Sequence, residues 1–148
     1  MKRKGLDGVN PSKYTHRPEI KLVSKGWGFE KILKQDGSYC CKYMRIVKGM
    51  KTSLGFYKIK DRTIYIHSGK VRIYYTTNAK LLKEHLSSGE SAIYSVTNVL
   101  ESQVISSGDN FHIPPGMIIQ IIATDESEIY EFSTKHVEDD YHRLIKGD

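Results

Sequence analysis

Three short stretches hold residues whose types and spacing suggest chemistry. They are Ser53, Gly55 and Tyr57 in TSLGFYKIK, Arg62 in RTIYIH, and Ile119 with Ile121 in MIIQIIA. Alternate residues of an extended strand share a face, so each set is grouped by its own strand; Ile64 and Ile66 join Arg62, and Ala123 joins the isoleucines. The planar fork of a guanidinium matches a phosphate or carboxylate in two-pronged fashion. If Arg62 faces an interior, it needs an anion or a carboxylate partner. At the turn after Asp61 it can instead snorkel to water. Tyr57 can stack on a base or sugar, act as a general acid, or simply be a core tyrosine with its hydroxyl satisfied. His112, before Pro114, is the second candidate catalytic group, and it also reads as a lone structural histidine. Tyr43 and Arg45 share a face of the preceding strand and are further candidates for an interior site. Glu128 and Glu131 are potential partners for a buried arginine.

The elements that must position these groups are short strands. Candidates run at about 39–48, 52–60, 62–67, 70–76, 91–97, 101–106, 110–114, 117–124 and 127–133, rich in Tyr, Ile and Val and punctuated by Gly49, Asp61, Ser68-Gly69 and other turn residues. Residues 49–69 read as a hairpin. The one convincing helix is 78–87, with Asn78 as its cap and Leu82 on its apolar face. Many short strands predict an all-β sandwich or barrel. MIIQIIA is apolar on both faces, so its outer face needs cover from a second sheet, the N-terminal arm or another subunit, and a homodimer is expected on that ground. The expected domain layout is an irregular N-terminal arm at 1–25, a barrel at 26–135 and a polar C-terminal tail at 136–148. In this reading Lys58 and Lys60 form a solvated face, and Asp139-Asp140 is surface charge.

The chain of 148 residues can bury one sizeable core. It carries no apolar run near the ~20 residues of a membrane span, and its basic start, MKRKGLDG, is not followed by a signal-type apolar segment. Cys40 and Cys41 are adjacent and point to opposite faces of a strand, so no disulfide joins them. A cytoplasmic location is expected, in a host cell if a virus encodes the chain. The net charge of +6 favours anionic partners. Residues 1–30 hold seven Lys/Arg against three acidic residues, which reads as a solvated basic arm. Without a nucleic-acid-binding motif, that arm is not expected to bind nucleic acid.

Two frames in the sequence resemble the paired motifs of the cupin family. Gly49 and Gly69 bracket the first frame; Gly108, Pro114 and Gly116 set the second. The resemblance covers residues 26–135. The words WGFE at 27–30, TSLGFYKIKDRTIYIHSGKV at 52–71 and EIYEFSTKHVEDDYHRL at 128–144 look like small cupins of the mannose-6-phosphate and glucose-6-phosphate isomerase type. It implies a jelly-roll barrel, the double-stranded β-helix, with Ser53, Gly55 and Tyr57 facing inward and Ile119, Ile121 and Ala123 lining the opposite wall. The family's metal ligands would fall on Gly55, Tyr57, Arg62 and Ile119. Glycine and isoleucine carry no side-chain donor, a neutral phenol is a poor one, and a guanidinium repels a cation. No metal and no other cofactor is therefore expected. The expected pocket is apolar, widened at Gly55, and holds one phenol and one guanidinium. These features favour a metal-independent module that binds a small anion such as a sugar phosphate, nucleotide-sugar or nucleotide, as a sensor or sequestering protein. The alternatives are a sugar-phosphate or nucleotide-sugar isomerase or epimerase, and a non-catalytic interaction scaffold.

Overall fold

The computed structural model describes residues 21–87 and 99–148. The expected arm at 1–20 and the expected strand at 91–97 lie outside the described residues. The elements are β1 (Lys21–Lys25), β2 (Gly28–Lys34), β3 (Tyr39–Ile46), β4 (Leu54–Tyr57), β5 (Arg62–Ser68), β6 (Lys70–Thr76), α1 (Ala79–Ser87), β7 (Glu101–Ser106), β8 (Asn110–Ile113), β9 (Ile118–Ala123), β10 (Ser127–Thr134) and β11 (Tyr141–Ile145). They form two antiparallel sheets, β1-β2-β3-β10-β5-β8 and β11-β4-β9-β6-β7. From β3 to β6 and again from β7 to β11, each strand joins the sheet opposite its predecessor. Two sheets thereby wind into one barrel, as expected. No described helix is long and apolar enough to cross a membrane.

This winding corrects the local picture around residues 49–69. β4 and β5 are consecutive but lie in different sheets, so they are not a hydrogen-bonded hairpin. Likewise Gly55 pairs with Ile119 on β9. The isoleucines therefore share a wall with Gly55 and face Arg62 across the barrel. The framing glycines Gly49, Gly69, Gly108 and Gly116 all have positive φ, between 82° and 92°. Gly69 shows why the residue type matters: it turns the chain tightly against the Ser127 side chain and the Glu126 carbonyl, where a Cβ has no room.

The core fills the space between the sheets. Met44, Ile46, Ile64, Ile66, Val71, Ile73, Ile121, Ala123 and Ile129 are each less than 5% exposed there, with Trp27 packed among them. Alternation along each strand sends these residues inward. A second cluster covers the outer face of the β4–β9 wall: Leu82 of α1 packs with Leu54, Leu100 and Ile118, and Leu144 and Ile145 join them. The chain thus covers Ile118, on the outer face of that segment, with its own helix.

Both ends of the barrel chain depart from expectation. β1, inside the expected arm, is an edge strand paired with β2. β11, inside the expected polar tail, is an edge strand paired with β4, matching Tyr141 to Tyr57 and Arg143 to Gly55. The end of the chain is tied down as well. Gly147 N donates to Ser53 Oγ at 3.2 Å, and the Asp148 carboxylate accepts from Lys51 N at 2.9 Å.

Candidate functional site

A cavity of about 240 Å³ opens between the sheets, with Ser53, Gly55, Tyr57, Arg62, Ile119 and Ile121 all in its wall. β4 supplies the first three, β5 the arginine and β9 the isoleucines. Arg62 does not snorkel to water. It is 8% exposed and donates from Nη1 to Glu131 Oε1 at 3.1 Å. Its guanidinium carbon stands 4.6 Å from the centre of the Tyr57 ring, a cation–π distance. Its Nε is buried with no hydrogen-bond partner.

Strand register supplies residues that the sequence reading passed over. Lys42 lies directly opposite Glu131 in the β3–β10 ladder. Its ammonium sits 3.5 Å from Glu131 Oε2 and 3.5 Å from Glu30 Oε2, and Lys25 approaches Glu30 Oε1 at 3.9 Å. Tyr141 and Arg143 enter the wall from β11. The ring of Tyr141 lies 4.9 Å from that of Tyr57. The expected widening at Gly55 is absent, because the Tyr141 hydroxyl fills that space, 2.5 Å from where a Cβ would be. Lys42 was legible in the alternation of Cys40, Lys42, Met44 and Ile46; Arg143 was legible only if YHRLI was taken as a strand.

Other expectations need correction. Tyr43 and Arg45 are on the outer face, not in the barrel. Burial, with the hydrogen bond its hydroxyl donates to Glu128 at 2.7 Å, pushes the Tyr43 pKa up to about 12, and Arg45 pairs with Glu126 at 2.8 Å. Glu128 consequently serves Tyr43, not a buried arginine. His112 is exposed and bonded to Asp61 at 2.6 Å, outside the cavity, so Tyr57 and His112 are not brought together. Lys60 is 7% exposed, not solvated, with its ammonium 4.9 Å from the Tyr57 ring centre. Asp140 is 4% exposed; its two oxygens accept the backbone N–H groups of Ile59 and Lys60, each at 2.9 Å. That capture ends β4 at Tyr57, short of the expected residue 60.

The electrostatics follow from the packing. Burial disfavours the Glu131 carboxylate, but Lys42 and Arg62 outweigh it and hold its pKa below the usual glutamate value. Burial likewise opposes the Lys42 ammonium, and Glu131 and Glu30 outweigh it, so Lys42 titrates above an ordinary lysine. Burial raises the pKa of both Tyr57 and Tyr141, keeping the phenols protonated. The cavity wall carries Lys25, Lys42, Arg62 and Arg143 against Glu30 and Glu131, an excess of cations.

These residues do not fit a divalent metal. Gly55 and Ile119 offer no donor, Arg62 places a cation at the centre of the site, and both carboxylates are engaged by lysine or arginine. Among the described residues, no three His, Cys, Asp or Glu side chains are grouped to hold a metal.

No protein-family model and no curated protein sequence matches the chain. Solved structures do. Oxalate decarboxylase from Bacillus subtilis superposes with a TM-score of 0.64 at 14% identity, over 85% of this chain and 30% of its own. KdgF from Halomonas sp. superposes with a TM-score of 0.59 at 14% identity, over 82% of this chain and 93% of its own. The chain spans under a third of the decarboxylase. Both neighbours are cupins, and the architecture of this chain is a cupin barrel. At such identities the likeness carries the fold alone and does not bear on the resemblance to sugar-phosphate isomerases.

Proposed function

We propose that this protein is a metal-independent cupin that binds a small anionic ligand in its barrel. The observation that carries the reading is Arg62: a guanidinium stands where the family places a metal-binding carboxylate, buried in a wall with more cations than carboxylates. Such a wall favours a phosphate or carboxylate in a low-dielectric setting. The cavity of about 240 Å³ is below the ~300 Å³ at which drug-sized sites begin, which favours one sugar ring with its phosphate over a nucleotide-sugar.

The reading is of a binder, acting as a sensor or a sequestering protein, in preference to an isomerase. An isomerase needs a base within reach of the substrate carbon. Glu131 is a weak base, because two cations hold it ionised, and His112 stands outside the cavity. Thermal-shift measurements with sugar phosphates, mononucleotides and their unphosphorylated parents test the proposal. Ligand binding raises the melting temperature by mass action. A rise with the phosphorylated compounds alone supports it; no rise with any of them leaves the barrel a scaffold and refutes it.

A further inference from the structure

We propose that the ligand carries two separated anionic groups, one held at Arg62 and the other at Lys60. The proposal rests on the anion-binding reading above and adds the number and placement of the ligand's charges.

A second hollow of about 140 Å³ adjoins the main cavity. Glu30, Lys42, Tyr57 and Glu131 line both, so these side chains form the wall that the two spaces share. Lys60 lines the second hollow. Among the described residues its ammonium makes no ion pair or hydrogen bond, although the residue is only 7% exposed. Its close contact is the Tyr57 ring. The carboxylates of this hollow are already engaged, Glu131 by Lys42 and Arg62, Glu30 by Lys42 and Lys25. Glu131 feels the Lys60 charge but is already paired, so the ammonium lines the hollow with donors free for an anion. Arg62 adds a buried Nε with no hydrogen-bond partner. One under-satisfied cation therefore stands in each hollow.

The chain places them deliberately close. Asp140 captures the N–H groups of Ile59 and Lys60, and the resulting bend carries Lys60 inward. Lys60 and Arg62 then both reach the ring of Tyr57, so their charged heads are no more than about 10 Å apart. Two anionic substituents at opposite ends of a six-carbon sugar span such a gap. Glu30 and Glu131 line both hollows, and their oxygens retain acceptor capacity for hydroxyls. One cation in each hollow, with carboxylates in the wall they share, matches two anions joined by a polyol. The chemical class is a sugar bisphosphate or a phosphorylated sugar acid.

Calorimetric titration with glucose 6-phosphate and glucose 1,6-bisphosphate at fixed ionic strength tests this. The wild-type chain should bind the bisphosphate roughly tenfold more tightly than the monophosphate. Lys60→Met should remove that advantage while leaving monophosphate affinity within about twofold, and Lys60→Arg should keep it. Equal affinity of the wild type for the two probes overturns the two-anion proposal and leaves single-anion binding standing. An equal loss for both probes in Lys60→Met, or loss of the advantage in Lys60→Arg, also overturns it. Binding of neither probe by the wild type refutes both this proposal and the reading beneath it. The wild-type comparison is decisive even if Lys60→Met fails to fold.

Discussion

Arg62 and Glu131 form a buried ion pair, Nη1 to Oε1 at 3.1 Å, with side chains 8% and 6% exposed. They sit on the adjacent strands β5 and β10, and Lys42 takes the second oxygen of the same carboxylate. Glu131 is thus the hinge of the charge arrangement: it holds two cations at the cavity wall. Glu131→Gln would leave those cations under-compensated and should cost about 3–5 kcal/mol of stability. The double variant Arg62→Met/Glu131→Met should cost less than Glu131→Gln alone. Urea unfolding of the variants checks both.

Stability should depend on pH through this cluster. Glu131 titrates below the ordinary glutamate value of 4.5, so its contribution is present above that pH and is lost as pH falls through its depressed pKa. Lys42 titrates above the ordinary lysine value of 10.5, so its contribution is present below that pH and is lost as pH rises through its elevated pKa. Unfolding free energies measured across pH should show both limbs, and Glu131→Gln should flatten the acid one.

Asp140 satisfies two backbone N–H groups at the end of β4. Asp140→Ala should cost roughly 1–3 kcal/mol, with Asp140→Asn milder because one acceptor oxygen remains. The same change frees Lys60 from its bend. In calorimetry Asp140→Ala should therefore lower bisphosphate affinity more than monophosphate affinity.

Gly55 gives its space to β11. A Cβ there would lie 2.5 Å from the Tyr141 hydroxyl and 2.6 Å from the His142 carbonyl. Gly55→Ala should destabilise the chain by about 1–3 kcal/mol through overpacking. Because the strain falls on an edge strand, amide hydrogen exchange at Tyr141–Ile145 should speed up more than exchange in β10.

The barrel was legible because its signal is local. Turn residues and alternation located most strands and grouped Ser53, Gly55 and Tyr57, Arg62 with Ile64, and Ile119 with Ile121 by face; the cupin resemblance supplied the inward direction. Tyr43 and Arg45 were misplaced because YCCKYMRI is mixed on both faces, and the inward set includes a lysine that only Glu131 and Glu30 make tolerable. Asp140 and Lys60 were misread for the same reason: their burial depends on a contact 80 residues apart in the chain. The same holds for Tyr141 and Arg143, which look like tail residues until β4 gives them a partner. Asp140 and Lys60 lie outside any strand, so their burial by long-range pairing leaves no periodic trace.

The central claim is that the barrel holds an anion without a metal, and one titration tests it most directly. Glucose 6-phosphate is titrated into the chain in EDTA, with glucose as the neutral control and Arg62→Met and Arg143→Met as variants. The account predicts binding of one phosphate ester per chain in EDTA, no binding of glucose, a loss of at least roughly tenfold in Arg62→Met, and a smaller loss in Arg143→Met, whose side chain is exposed. Binding that vanishes in EDTA and returns with a divalent metal, or undiminished binding by Arg62→Met, would contradict it.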